Sequence, residues 1–268
     1  MASAPSKHAT LVIVGPELWS TYPVFNSNAF PEELATIVHS CSLRAGMLLT
    51  QSLTLKHEIE FERQVLYKEL LADRGGLSDA VRRNHQVPII AFADGVRYTN
   101  VFYASLTTIK SFLDVYGLLM GKLIGRHLNW SFKRGRIGSR DISGGAIVNW
   151  LRRSAPKTLT ASSILAEIIE RHSIDWITDV VECRDTVAHY SEIKGLQHLR
   201  VPLRTETPYF RIEEFESPAM PNGQLLPEYV DQAIRNIRAF VLDTITKLPS
   251  ITLEHISTER FLVPREGA

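Results

Sequence analysis

Residues 95–124 read GVRYTNVFYASLTTIKSFLDVYGLLMGKLI and form the clearest amphipathic stretch of the chain. Its large apolar residues recur at steps of three and four, the repeat of one face of an α-helix. They are Tyr98, Phe102, Leu106, Ile109, Leu113, Tyr116, Met120 and Leu123. Lys110, Asp114 and Lys122 interrupt the stretch, so we expect a core helix and no membrane span. This stretch therefore favours a mainly α-helical fold.

The same kind of pattern predicts further elements on both sides of this helix. Helices are expected at about 31–49, 54–72, 146–153, 160–172, 174–190 and 227–248, with a short strand at 10–14 and a tail helix from about 251. Residues 125–145 look irregular, whereas alternating apolar residues over 196–213 predict a β-hairpin. Long helices with short connections favour an up-down helical bundle with a small β-hairpin or sheet.

Composition narrows the class of protein. The chain has 268 residues, a net charge of +1 and two cysteines, Cys41 and Cys183, which fit a reducing compartment and rule out a disulfide framework. No secretory signal is evident, so we expect a soluble, cytoplasmic protein without a membrane partner. The nucleotide-binding and hydrolase motifs HExxH, Walker A, GxSxG and GxGxxG do not occur, and no two histidines are spaced i, i+4. We therefore expect neither a cofactor nor a metal site.

An arginine interrupts the apolar face of the helix predicted at 174–190. That face consists of Ile174, Ile177, Val180, Val181, Val187 and Ala188, and Arg184 falls near its middle. A buried guanidinium needs a partner, because an unpaired buried charge is very costly. Arg184 therefore makes either a buried structural salt bridge or part of a polar site or subunit interface, where its planar fork suits phosphate or carboxylate.

A histidine follows five residues later, in the last turn of the same predicted helix. His189 there is either a C-terminal capping residue or a general acid or base, since an imidazole changes protonation near neutral pH.

The segment Arg184-Asp185-Thr186-Val187-Ala188-His189-Tyr190 resembles the motif of the HEPN superfamily, in which RNase members carry Arg, four to six residues, then His. The resemblance covers about residues 95–248. It implies a helical bundle, a homodimer in which Arg and His of two subunits meet, and RNA cleavage without metal. It implies catalytic roles for Arg184, His189 and the polar Asp185, and for Asp114 on an earlier helix. Some members carry a tyrosine two positions after the His, where this chain has Ser191, and this departs from members with a nucleotidyltransferase partner.

Positive charge is concentrated between Lys122 and Lys157. This segment contains nine basic residues and one acidic residue, Asp141, although the whole chain is nearly neutral. Aromatic residues and glycines lie among the cations, which suits single-stranded nucleic acid as well as a solvated loop. The candidate RNA contacts are Trp130, Lys133, Arg134, Arg136 and Arg140.

The leading hypothesis is a metal-independent endoribonuclease of HEPN type, a toxin or defence effector that cleaves RNA by 2′-OH attack. Its expected partners are RNA, a second copy of the chain and an inhibitory or antitoxin protein. The alternatives are a non-catalytic HEPN-like module that binds nucleic acid, nucleotide or protein, and a structural interaction protein. The expected division is an N-terminal segment at 1–94, a helical core at 95–248 with the basic loop 122–157 and the hairpin 196–213, and a tail at 249–268.

Overall fold

A computed structural model describes residues 32–73, 89–123, 130–155, 161–189, 192–206 and 209–247, together with positions 79 and 83. These residues are mainly helical, with a small antiparallel sheet, so the expected fold class is confirmed. The strand expected at 10–14, the tail at 249–268 and its helix from about 251 lie outside the described residues.

The first described element is a single helix. α1 spans Glu32–Ala72 without interruption, so the prediction of two helices separated near residue 50 is wrong. The polar stretch Thr50-Gln51-Ser52 contains neither proline nor glycine and therefore does not break the helix. Ser52 is itself buried and donates a hydrogen bond to Asp231 at 2.5 Å.

The helix expected at residues 95–124 is confirmed as α2, Val96–Leu123. Seven residues of its predicted apolar stripe are at most 1% exposed: Tyr98, Phe102, Leu106, Ile109, Leu113, Tyr116 and Met120. Its first turn is capped by the buried carboxylate of Glu62, which accepts hydrogen bonds from the backbone N–H groups of Gly95 and Arg97. Such a cap satisfies donors that the start of a helix leaves free.

The basic stretch contains regular structure that was not expected. Strands β2, Arg134–Ile137, and β3, Arg140–Ser143, form an antiparallel hairpin, and α3 follows at Gly145–Arg153. The prediction that residues 125–145 are irregular is therefore wrong over 134–143. The turn is made by Gly138, whose φ of 57° suits glycine.

The two helices predicted at 160–172 and 174–190 form one helical run. α4, Ser162–His172, continues through a π-turn at Ser173–Ile177 into α5, Thr178–Ala188. In the π-turn the backbone N–H of Thr178 donates to the carbonyl of Ser173. The extra residue rotates the side chains on one side of the turn by about 100° relative to those on the other.

The predicted hairpin at 196–213 is confirmed as β4, Arg200–Glu206, and β5, Tyr209–Ile212, and α6 follows at Leu226–Ile245. A further strand, β1 at Ile89–Phe92, pairs antiparallel with β4, which gives the order β1-β4-β5. The apolar run Ile89-Ile90-Ala91-Phe92 was the sequence signal for this strand. The sheet packs Val201 and Leu203 against Leu66 and Leu70 of α1.

The described residues group into two compact units that alternate along the sequence. The first unit takes its residues from 1–49, 106–185 and 233–268, and the second from 50–105 and 186–232. Neither unit follows the boundary at 94/95 expected from the sequence. The first unit contains the basic hairpin and Arg184, and the second contains the three-stranded sheet.

Candidate functional site

Arg184 lies near the end of α5, beyond a buried face of the same helical run. Ile177, Val180 and Val181 are buried, whereas the side chain of Arg184 keeps 35% of its surface exposed. Its Nη1 donates a hydrogen bond to Oδ1 of the adjacent Asp185 at 2.9 Å. The Nε atom of Arg184 is buried and has no hydrogen-bond partner among the described residues.

These contacts bear on the two interpretations of Arg184, a buried structural salt bridge and part of a polar site or subunit interface. A structural salt bridge in the core would need a buried partner, but Asp185 is itself 40% exposed. Exposed ion pairs contribute about 0–1 kcal/mol, so the pair is weakly held and its guanidinium can exchange partners. The geometry therefore favours a polar surface site over a buried structural pair.

Two members of the predicted apolar face, Ile174 and Ala188, are exposed, and Val187 is half-buried. Ile174 is 46% exposed, because the π-turn shifts the side chains before Thr178 relative to those of α5. The predicted face is therefore buried only at Ile177, Val180 and Val181 and is wrong at both of its ends.

His189 follows the last residue of α5 and is exposed. No hydrogen bond or ion pair joins it to another residue in the described part of the chain. Its imidazole is therefore accessible to a ligand. Tyr190, the last residue of the motif segment, and the following Ser191 lie outside the described residues.

The basic hairpin is tightly packed against α3. A Cβ on Gly145 would overlap the carbonyl oxygen of Gly135, so the two backbones approach each other closely enough to require glycine. Asn149 adds a hydrogen bond from its side-chain amide to the carbonyl of Arg136 at 2.7 Å. Gly135 and Gly145 therefore make the close backbone contact that packs the hairpin against α3.

The hairpin is also attached to the helix that carries the motif. The backbone N–H of Ser143 donates to Oγ1 of Thr178 at 3.0 Å, and Arg134 pairs with Glu182 at 2.7 Å. Thr178, Glu182 and Asp185 are spaced i, i+4 and i+7, which places them on one face of α5. The residues of α5 that contact the hairpin, Thr178 and Glu182, therefore lie on the same face as Asp185, which binds Arg184.

The exposed cations and the aromatic residues of this region have different roles. Lys133, Arg134, Arg136 and Arg140 are all exposed, and of these Arg134 is paired with Glu182. Trp130 is only 6% exposed and packs against Trp150 with 5.5 Å between ring centroids. Its ring is not available to stack on a base, so we remove Trp130 from the candidate RNA contacts.

Asp114 holds the chain that leads into the hairpin. Its carboxylate accepts a hydrogen bond from the backbone N–H of Phe132 at 2.9 Å and pairs with Lys110 at 2.6 Å. The ring of Phe132 is buried and packs edge-on against Phe240. Asp114 therefore acts first as a positioning residue for the basic segment, and its predicted catalytic role stays a prediction.

A polar cluster next to the π-turn, in which His172 and Trp176 are buried and the charged partners are exposed, was missed in the sequence. The indole N–H of Trp176 donates to Nδ1 of His172 at 2.9 Å, and the other ring nitrogen of His172 lies 3.0 Å from Asp243. Since an indole nitrogen only donates, Nδ1 of His172 accepts this hydrogen bond, which leaves Nε2 to donate to Asp243. Arg171 also pairs with Asp243 at 2.5 Å. The His172/Trp176 spacing of i, i+4 was the available sequence signal.

Comparison of the chain with protein-family models, with curated proteins and with solved structures gave no match. Within the described ranges, no group of three or more His, Cys, Asp or Glu side chains is arranged to hold a metal ion. None of the helices in the same ranges combines the length and apolar character that a bilayer crossing requires.

Proposed function

We propose that this chain is a metal-independent endoribonuclease of HEPN type that acts as a toxin or defence effector. The observation that carries the proposal is the attachment of an exposed basic hairpin to the helix that carries Arg184 and that His189 directly follows. A phosphate backbone bound by the hairpin cations would lie beside an arginine whose fork is held only by an exposed carboxylate.

RNA supplies its own nucleophile, the 2′-OH, so this reaction needs no covalent enzyme intermediate. The enzyme has to remove the proton of that hydroxyl, protonate the 5′-oxygen leaving group and stabilise the charge on the phosphorane oxygens. His189 is the proposed proton-transfer group, because an imidazole can donate or accept a proton near neutral pH. Arg184 is the proposed electrostatic group, since its fork can bind two phosphate oxygens as their charge grows. Asp185 would orient that fork.

The motif supplies one histidine and one arginine per copy, whereas the reaction needs both a general base and a general acid. We therefore propose a homodimer in which the motifs of two copies form one composite site, as in the family that the motif resembles. Light scattering of the intact protein with and without RNA tests this step. A strict monomer at micromolar concentration under both conditions contradicts the composite site.

Cleavage of a single-stranded RNA in the presence of EDTA tests the proposal directly. His189→Ala should lower the rate by about 10²–10⁴-fold, the usual contribution of one general acid–base group. Arg184→Lys should also fail, because a point charge does not replace a bidentate fork. His57→Ala serves as a matched control, since His57 is an exposed histidine on α1. Full activity of His189→Ala, or loss of wild-type activity on adding chelator, contradicts the proposal.

A second candidate is a non-catalytic module that binds nucleic acid. The observation in its favour is that the backbone of the hairpin, which carries the exposed cations, is held by contacts that do not involve the motif, such as the hydrogen bond from Asn149 to the carbonyl of Arg136. Tight RNA binding without cleavage, unchanged by Arg184→Lys and His189→Ala, is the result that selects this candidate.

A further inference from the structure

We propose that Glu182 competes with the RNA backbone for Arg134. Its carboxylate pairs with Arg134 until an RNA phosphate displaces it. This inference rests on the proposed RNA binding and adds its regulation. It does not require that the bound RNA be cleaved.

The two acid–arginine pairs near the motif share one geometry. Glu182 and Asp185 lie one turn apart on the same face of α5, and each holds one arginine, Arg134 at 2.7 Å and Arg184 at 2.9 Å. A carboxylate has the same two-oxygen edge that a phosphate presents to a guanidinium. Each acid therefore occupies donors that a phosphate would use.

Exposure makes the Arg134–Glu182 pair exchangeable. The side chains of Arg134 and Glu182 keep 50% and 49% of their surface exposed, so water and ions reach both partners. A pair in that environment is weak and is screened by salt. A phosphate with neighbouring cations around it competes well for Arg134, whereas an isolated anion does not.

The other cations of the hairpin provide those neighbours. Within the described part of the chain, Lys133, Arg136 and Arg140 have no carboxylate partner, so they are available from the first encounter with RNA. Arg134 is added only when Glu182 is displaced. Glu182 therefore lowers the affinity of the protein for RNA. It also reduces the number of counterions released on binding, because the carboxylate of Glu182 already neutralises Arg134 in the free protein.

The experiment measures the affinity of a single-stranded RNA oligonucleotide in a His189→Ala background, so that the RNA stays intact. Glu182→Gln should tighten binding by about threefold to tenfold at low salt and steepen the plot of log K against log salt by about 0.7, the value for one further phosphate contact with a single strand. The gain should vanish when Arg134→Gln is added, because the freed donor is then missing.

Glu213→Gln is the matched control. Glu213 pairs with Arg204 at 2.7 Å, the same distance as in the Arg134–Glu182 pair, but it belongs to the other unit. Glu213→Gln therefore changes the net charge by the same amount as Glu182→Gln but does not free Arg134. An equal gain from Glu213→Gln, a gain that persists with Arg134→Gln, no gain from Glu182→Gln, or no RNA binding by any variant overturns the inference.

The inference and the proposed nuclease fail separately. A gain from Glu182→Gln that depends on Arg134 supports the inference even if the wild-type protein never cleaves RNA. Conversely, cleavage by the wild-type protein supports the nuclease even if Glu182→Gln binds RNA no better than its parent.

Discussion

The backbone N–H of Ser143 donates a hydrogen bond to Oγ1 of Thr178 at 3.0 Å, which fixes the end of the basic hairpin to the first turn of the motif helix. Ser143 is fully buried, so this donor has no access to solvent. The bond is thus a direct link between the proposed RNA-binding surface and the proposed catalytic helix.

Thr178→Val should break this link without changing the shape of the side chain. The buried N–H of Ser143 would lose its acceptor, which costs about 1–3 kcal/mol in the free energy of unfolding. Urea denaturation measures the loss, and Thr178→Ser, which keeps the hydroxyl, is the control. Equal stability of the valine variant and the wild type would show that the hydrogen bond does not hold the hairpin.

Asp114→Ala should destabilise the protein more than Asp114→Asn. The alanine variant loses the acceptor for the Phe132 N–H and also leaves the mostly buried Lys110 without its carboxylate. The asparagine variant keeps one acceptor for Phe132. We expect a loss of about 1–3 kcal/mol for alanine and a smaller one for asparagine, measured by chemical denaturation.

Asp114→Asn also separates positioning from catalysis. If Asp114 only positions the chain, the folded asparagine variant retains most of the RNA-cleaving activity. Loss of cleavage by a variant of normal stability would instead assign Asp114 the catalytic role that the HEPN resemblance implies.

Arg136→Gln combined with Arg140→Gln should weaken RNA binding and flatten its salt dependence. Both side chains are exposed on the hairpin, and the salt slope should fall by about 0.7 for each phosphate that the variant no longer binds. Titration of RNA at several salt concentrations measures both effects. Arg204→Gln, an exposed arginine of the second unit, is the control, and an unchanged slope in the double variant would show that the hairpin is an ordinary solvated surface.

The spacing of apolar residues predicted which side chains are buried wherever the helical repeat continued without interruption. The stripe of α2 is an example, since steps of three and four from Tyr98 to Met120 lead to residues that are all buried. It failed where a single residue changes the helical phase: the π-turn at 173–177 leaves Ile174 exposed, and no residue type marks such an insertion.

The candidate site was predicted in part, because residue types were clear and their contacts were not. The exposed cations of the hairpin followed from composition, but the Arg134–Glu182 pair joins residues 48 positions apart and has no local pattern. Trp130 was misjudged for the same reason. An aromatic residue among cations suits stacking on a base, but its contact with Trp150 comes from tertiary packing.

Cys41 provides a test of the core of the first unit through pH. Burial raises the pKa of its thiol from 9.0 to about 12, and the positive charge of Arg44 acts in the opposite direction. Above pH 9 the unfolded chain loses this proton while the folded chain keeps it, so this group lowers the stability by about 1.4 kcal/mol per pH unit until the folded thiol also ionises.

The measurement compares the pH dependence of unfolding for the wild type and Cys41→Ala. Between pH 9 and 11 the alanine variant should lose stability less steeply, although its stability at neutral pH is lower because of the cavity. Parallel curves would show that the Cys41 thiol ionises alike in both states and is not enclosed.

Mass spectrometry of the ends of RNA fragments made by the wild-type protein in EDTA tests the central claim most directly. Attack by the 2′-OH predicts a 2′,3′-cyclic phosphate on one fragment and a 5′-hydroxyl on the other, and no cleavage where the 2′-OH is replaced by hydrogen. Fragments that end in 3′-hydroxyl and 5′-phosphate, or cleavage at a 2′-deoxy position, would contradict the account.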